Sequence, residues 1–228
     1  MSTNSYLINS KRFKWGPGSI ILNPDKVRFL KKYAKGSCLD VGTGSGIYAN
    51  LLYSEGHFTV GVDNEIQFVK KASKNFKNVT FKKADAYNLP FKDKQFDTLI
   101  AFDILEHLDD EKALKEFLRV AQRVLFSVPH KNQTILEEYG LSHSHYLDNT
   151  HKRVYDKQSL AKLAKKNHLQ IISLKNSLPI SISGLLIERL SKGNMLKKYL
   201  LKVLLKPFLP EPSIYSTVFG VLEKAKSK

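Results

Sequence analysis

The chain has 228 residues, 42% of them hydrophobic, 25% charged and one a cysteine, which suffices for one domain with a sizeable core. A single cysteine excludes both an intramolecular disulfide framework and a cysteine-rich zinc site. Lysine and arginine outnumber aspartate and glutamate 37 to 21, a formal net charge of +16, so polyanionic partners are favoured, yet no dense basic block with interleaved aromatics points to nucleic acid.

The first stretch, "MSTNSYLINSKRFKW", lacks an apolar run of signal-peptide length. Nowhere do about 18 uncharged apolar residues follow one another, as a membrane span requires. A cytoplasmic protein, at most peripheral to a membrane, is the expectation. Residues 1–34 read as an N-terminal arm and a first helix.

From about Lys35 strand and helix patterns alternate. "SCLDVG" is an apolar strand running into a glycine loop, and Cys38 inside it reads as a packed, inert thiol. "IYANLLYSEG" is a helix stopped by Gly56. "FTVGVD" is a second strand, "EIQFVKKASKNF" a second helix, "VTFKKAD" a third strand and "FDTLIAFD" a fourth. "DDEKALKEFLRVAQ" opens with acids that suit a helix N-terminus, and "RVLFSVP" is a fifth strand closed by Pro129. Such alternation predicts an α/β, doubly wound and mostly parallel sheet.

The pattern loosens over 131–156, a loop or short-helix region carrying His143, His145 and His151. "KQSLAKLAKKNHLQ" then reads as a helix, "IISLKNS" as a strand and "STVFGVLEK" as the last strand. The expected organisation is a core over 35–175, a basic amphipathic helical insertion acting as a lid over 176–214, and a last strand with a basic tail over 215–228. No internal repeat is evident.

The stretch "CLDVGTGSG" raises the question of which ligand approaches its backbone. A P-loop would need a lysine in G-x-x-x-x-G-K-[ST], and there is none between Gly42 and Gly46. A dinucleotide site wants G-x-G-x-x-G and an acid about 20 residues on. Asp63 supplies the acid, but Gly42, Gly44 and Gly46 place the third glycine one residue early. Asp40 would also repel a pyrophosphate. S-adenosylmethionine carries a sulfonium and an ammonium and no phosphate, so a carboxylate there is favourable. Asp85, in "ADAYNLPF", can take an adenine edge through its side chain or the following amide.

Through "LDVGTGSG", "VGVD", "ADAYNLPF" and "FDTLIAFDILEHL" the chain resembles the class I S-adenosylmethionine-dependent methyltransferases, roughly over 35–175 and weakly in the last strand. The resemblance implies a Rossmann-like seven-stranded sheet with its last strand antiparallel. It implies cofactor contacts at Asp40, Gly42, Thr43, Gly44, Asp63, Asn64, Asp85 and Ala86, with Phe102 near the adenine or methionine.

Amino-methylases acting on adenine or glutamine would place [DN]-P-P-[YF] after the fourth strand. Here the position reads Asp103-Ile104-Leu105-Glu106, which argues against those acceptors. His107 just beyond is the candidate general base, its ordinary pKa near 6.5 suiting the task; the competing reading is a residue that merely holds the loop. Were the turn helical, Asp103, Glu106 and His107 would share one face, and His143, His145 or His151 could complete a divalent-metal site. Quinone-biosynthesis O-methyltransferases and small-RNA ribose methyltransferases use a similar E-x-x-E-H cluster. Asp103 is one methylene short of that pattern, so no metal is favoured.

Trp15 in the arm, His145 and His151 are the expected substrate contacts, the histidine segment being similar to a D-x-x-H stretch of quinone- and glycan-pathway methyltransferases. "NMLKKYLLKVLLKPFLP" sets Met195, Leu196, Tyr199, Leu200, Val203 and Leu204 on one helical face, with lysines opposite. That face suits an anionic membrane surface or a hydrophobic substrate, or else packs on the domain or on a second subunit. The leading function is methylation of a small-molecule or lipid-linked acceptor, at oxygen ahead of nitrogen or carbon. RNA ribose 2′-O-methylation with a divalent metal ranks second, and a non-catalytic cofactor-binding protein third.

Overall fold

The computed structural model describes residues 18–141, 148, 150–209 and 214–225. A first helix, α1 (Pro24–Tyr33), starts where Asn23 Oδ1 accepts the amides of Asp25 and Lys26, with Pro24 at the first helical position. There follow β1 (Cys38–Val41), α2 (Ile47–Ser54), β2 (Thr59–Asp63), α3 (Ile66–Asn75), β3 (Thr80–Lys83) and β4 (Phe96–Phe102). A 3₁₀ turn (Leu105–His107), α4 (Asp110–Val120), β5 (Ala121–Pro129), α5 (Gln133–Glu138) and α6 (Lys157–Lys166) lead to β6 (Leu169–Ile180). Two further helices, α7 (Ile182–Ser191) and α8 (Met195–Leu205), precede β7 (Ile214–Lys224).

The seven strands form one sheet in the order β3-β2-β1-β4-β5-β7-β6. β1 pairs in parallel with β2 and β4, β2 with β3, and β4 with β5, while β7 runs antiparallel to both neighbours. This is the Rossmann-like sheet expected, with the last strand reversed. Its central strands are buried on both faces, so their side chains divide between two cores. Leu99 and Ala101 of β4 join Leu114, Phe117 and Leu160 on the side of α4 and α6. Ile100 and Phe102 join Phe29, Leu52 and Phe219 on the side of α1 and α2. Cys38 is fully buried in this second core, and burial pushes its thiol up to about 12, which fits the inert thiol expected.

Two boundaries differ from the sequence reading. The helix expected to reach Gln170 ends at Lys166, where Asn167 caps it and His168 turns at φ +53°, releasing Leu169 into β6. That strand then runs to Ile180, so the excursion expected from residue 176 begins at Ser181. Ten residues of β6 pair with β7 on either side of one bulge, and this ladder carries the strand through Pro179. The sheet reverses its winding between β1 and β4, which opens a crevice at the carboxyl ends of the strands, the usual ligand position in such a sheet.

Candidate active site

The glycine loop lies at that crevice. Gly42, Gly44 and Gly46 all have positive φ, at 71°, 51° and 80°, a conformation that costs little only without a Cβ. At Gly42 an added Cβ would come within 2.5 Å of Ile104 Cδ1, so β1 and the segment after β4 touch there. The turn is held by the Gly42 and Thr43 amides, which donate to Val62 O at 2.9 and 3.0 Å.

Two carboxylates bond to the loop, Asp40 and Asp63, and a third, Asp85, follows β3. Asp63 closes β2 and accepts from the Gly44 amide at 3.0 Å and the Glu65 amide at 2.9 Å. Asp85 is exposed after β3 and accepts from the Tyr87 amide at 2.9 Å. Asp40 lies 4% exposed under the loop, where Thr43 Oγ1 donates to it at 2.7 Å. Asn64 is exposed beside Asp63, and Ala86 is buried against the first core. The ring of Phe102 lies in the second core, edge-on to Tyr48 at 5.3 Å and stacked on Phe219 at 6.3 Å, so only its strand-end position faces the crevice. A loop without basic residues among three acids suits a cationic nucleoside and does not suit a pyrophosphate.

Burial pushes the Asp40 carboxyl up to about 7, against the opposing hydrogen bond from Thr43. With the folded pKa raised above the unfolded one, Asp40's contribution to stability is complete below pH 4 and is lost as pH rises through about 7. A cationic ligand favours the ionised form, so its affinity rises over the same range. S-adenosylmethionine binding is expected to strengthen about tenfold between pH 6 and pH 8, and Asp40→Asn to flatten that profile. Titration calorimetry at both pH values checks it.

Behind the loop sits an arrangement the sequence reading missed. Lys26 of α1 is buried, ion-paired with Asp103 Oδ2 and 5.1 Å from the Phe102 ring centroid. Burial alone would lower the Lys26 ammonium, but the Asp103 carboxylate outweighs it and the pKa lies above the ordinary lysine value. Asp103 also accepts from Ser127 Oγ at 2.6 Å and adopts φ +52°, left-handed strain of the sort found at functional sites. This corrects the metal geometry expected: Asp103 precedes the 3₁₀ turn and faces Lys26 and Ser127, so it does not share a helical face with Glu106 and His107.

The turn instead brings Glu106 and His107 to His151, their candidate ligand atoms lying within 4.8 Å of one another. Glu106 is 1% exposed, its Oε2 has no hydrogen-bond partner among the described residues, and burial beside Asp103 holds its carboxyl well above the usual range. Two imidazoles and a carboxylate could hold a divalent ion. A protonated Glu106 fits the same burial without one.

His107 is oriented by the loop that follows α5. Thr150 Oγ1 donates its only proton to Asp148 Oδ1 at 2.6 Å and lies 3.0 Å from His107 Nδ1, with Thr150 O at 3.3 Å. Toward His107 both Thr150 oxygens therefore accept, which places the ring proton on Nδ1 and leaves the lone pair on Nε2. Burial lowers the imidazole pKa below its ordinary value, so the ring is neutral at physiological pH. The loop is fastened by the Lys152 amide to Glu106 O at 2.8 Å, by the ion pair of Arg153 with Asp110, and by Tyr155 Oη to Asp110 at 3.0 Å. His151 lies against His107, ring centroids 4.7 Å apart.

Trp15, His143 and His145 lie outside the described residues. The segment leading into α1 crosses the loop, where Ser45 Oγ donates to Ser19 O at 2.5 Å and Lys71 Nζ to Gly18 O at 3.1 Å.

The chain is similar to known methyltransferases. The methyltransferase domain family matches residues 39–124. Demethylmenaquinone methyltransferase of Thermotoga maritima is 34% identical over 105 residues, 45% of this chain and 41% of that one. The ubiquinone/menaquinone biosynthesis C-methyltransferase of Campylobacter jejuni is 35% identical over 101 residues, 42% of this chain and 43% of that one. The chain thus spans less than half the length of these relatives. Magnesium protoporphyrin IX methyltransferase of Synechocystis, solved with bound S-adenosylhomocysteine, shares the fold at a TM-score of 0.58 and 16% identity, over 88% of this chain and 81% of that one.

Proposed function

We propose that this chain is a class I S-adenosylmethionine-dependent methyltransferase that transfers a methyl group to a hydroxyl oxygen of an apolar small-molecule or lipid-linked acceptor; the methyltransferase domain family matches its residues 39–124. The observation that carries the cofactor is Asp40 and Asp63 bonded to a glycine loop of positive φ at the switch point of the sheet, with Asp85 after the neighbouring strand. Asp63 faces the ribose hydroxyls, Asp85 or the Ala86 amide the adenine edge, and Asp40 the cationic end. An apolar acceptor is supported by the quinone-pathway names of the Thermotoga and Campylobacter relatives.

The transfer is an in-line displacement. The acceptor oxygen bonds to the methyl carbon as the sulfur–methyl bond breaks, its electron pair returning to sulfur to give neutral S-adenosylhomocysteine. His107 Nε2 takes the hydroxyl proton, and the Asp148–Thr150 pair keeps the ring in the tautomer that can accept it. The Campylobacter name makes carbon the competing acceptor atom.

Glu106 Oε2, without a hydrogen-bond partner among the described residues, favours a second reading, in which Glu106, His107 and His151 would hold a divalent ion that would supply Lewis acidity toward the acceptor. Calorimetry with S-adenosylmethionine, followed by S-adenosylhomocysteine release with quinol and phenol acceptors in magnesium, manganese or chelator, tests both. Micromolar cofactor binding and chelator-resistant turnover support the first reading. Turnover lost on chelation supports the second, and no cofactor binding under any condition overturns both.

A further inference from the structure

We propose that α8 docks this protein on an anionic lipid bilayer through an apolar face that the domain leaves uncovered. At 100° per residue, Met195, Leu196, Tyr199, Leu200, Val203 and Leu204 occupy one half of the helix. All six are exposed, Met195 at 77% and Leu196 at 69%, and Phe208 just beyond is 86% exposed. Within α8 only Lys198 and Leu201, on the other half, are half-buried. The helix therefore turns its smaller apolar stripe inward and its larger one to solvent. Of the alternatives open for this stripe, packing on its own domain is set aside by that exposure.

The charges say what covers it. Lys197 borders the apolar arc beside Leu204 and Lys202 borders it beside Met195, while Lys206 opens the 3₁₀ turn that follows α8. Long lysine stems can thus lie along the apolar surface with their ammonium groups raised to phosphate level. Between Arg189 and Pro210 the chain carries Lys192, Lys197, Lys198, Lys202 and Lys206 and no acid. A second copy seated two-fold on this face would bring these lysine borders together without a carboxylate between them, which is unfavourable. An anionic membrane answers both features at once. With 11 residues the helix is too short to span, since about 20 are needed, so it lies in the interface plane.

The docking face belongs to the crevice side of the sheet. The excursion leaves from Ile180 and returns at Ile214, whose strand begins beside the carboxyl end of β5. It is anchored there by Ile182 and Ile187 of α7, with Ile182 packed on Leu136 and Ile214, and by Arg189 donating to Gly140 O at 2.5 Å. Docking itself is independent of the proposed reaction; that it presents a lipid-linked acceptor to the crevice rests on that reading.

The test is flotation of the full chain with vesicles of phosphatidylcholine and phosphatidylglycerol in equal parts, against phosphatidylcholine alone. Binding to the mixed vesicles is expected, weakened about tenfold or more without phosphatidylglycerol or in high salt. The triple variant Leu196→Ser, Leu200→Ser, Val203→Ser is expected to lose about tenfold or more in partitioning. It should keep its circular dichroism and cofactor affinity, because those side chains contact little else. Wild-type protein that ignores mixed vesicles, or a variant that binds undiminished, overturns the proposal. So does a dimer in sedimentation that the same substitutions convert to monomer, for a second copy would then cover the face. Cofactor binding measured on the same samples separates these outcomes from failure of the methyltransferase reading.

Discussion

His107→Ala is expected to lower kcat by about 10²–10⁴-fold, the usual worth of a positioned general base, while leaving S-adenosylmethionine affinity within about twofold. The imidazole stands on a 3₁₀ turn whose first neighbour, Ile104, packs against Gly42, so it borders the cofactor loop without belonging to it. Burial holds the ring below its ordinary pKa. The acid limb of kcat/KM should therefore fall at a lower pH than for an exposed histidine. Thr150→Val removes an acceptor that holds Nδ1 and is expected to cost less, with the limb displaced, since the base survives but loses its fixed tautomer. Rates are read as S-adenosylhomocysteine release. Unchanged turnover in His107→Ala would remove it from the chemistry and leave it as a residue that ties Thr150 to the turn.

Asp63→Ala should weaken S-adenosylmethionine binding about 100-fold, or about 2.7 kcal/mol. The side chain has two tasks. Its oxygens receive the Gly44 and Glu65 amides, which shape the loop, and in the proposed complex they face the ribose hydroxyls. Hydrogen bonds to a charged group are worth about 1.5–3 kcal/mol each, so the net loss of between one and two to the ligand accounts for the effect. Asp63→Asn keeps one acceptor oxygen and should fall between wild type and alanine. Calorimetry measures all three, and wild-type affinity in the alanine variant would place the adenosine elsewhere.

Much of the cofactor side was legible because it is local. The Gly42–Gly46 spacing, Asp40 before it and Asp63 one strand on are set within a βαβ unit, where backbone conformation and strand order leave few alternatives. The acceptor side was not. Asp103 looked like a potential metal ligand when the turn was imagined as an α-helix; its positive φ and its partners Lys26 and Ser127 emerged only once α1 and β5 were packed beside it. Lys26 lies 77 positions from Asp103, and nothing at either end of that separation signals the pairing. Thr150 reaches His107 across 43 positions, so the tautomer that makes Nε2 a base is likewise a product of the fold.

By itself the sequence determined the doubly wound sheet and the spacing of the glycines and acids along it, since hydrophobic period, glycine placement and charge are properties of neighbours along the chain; the reversed final strand was implied by the family resemblance alone. It also determined that 195–205 would be an amphipathic helix. Only the tertiary structure decided which half of that helix the domain covers, how His107 is held, and that a buried lysine meets Asp103. Those outcomes depend on which distant elements desolvate a given side chain, and burial and pairing are settled in space.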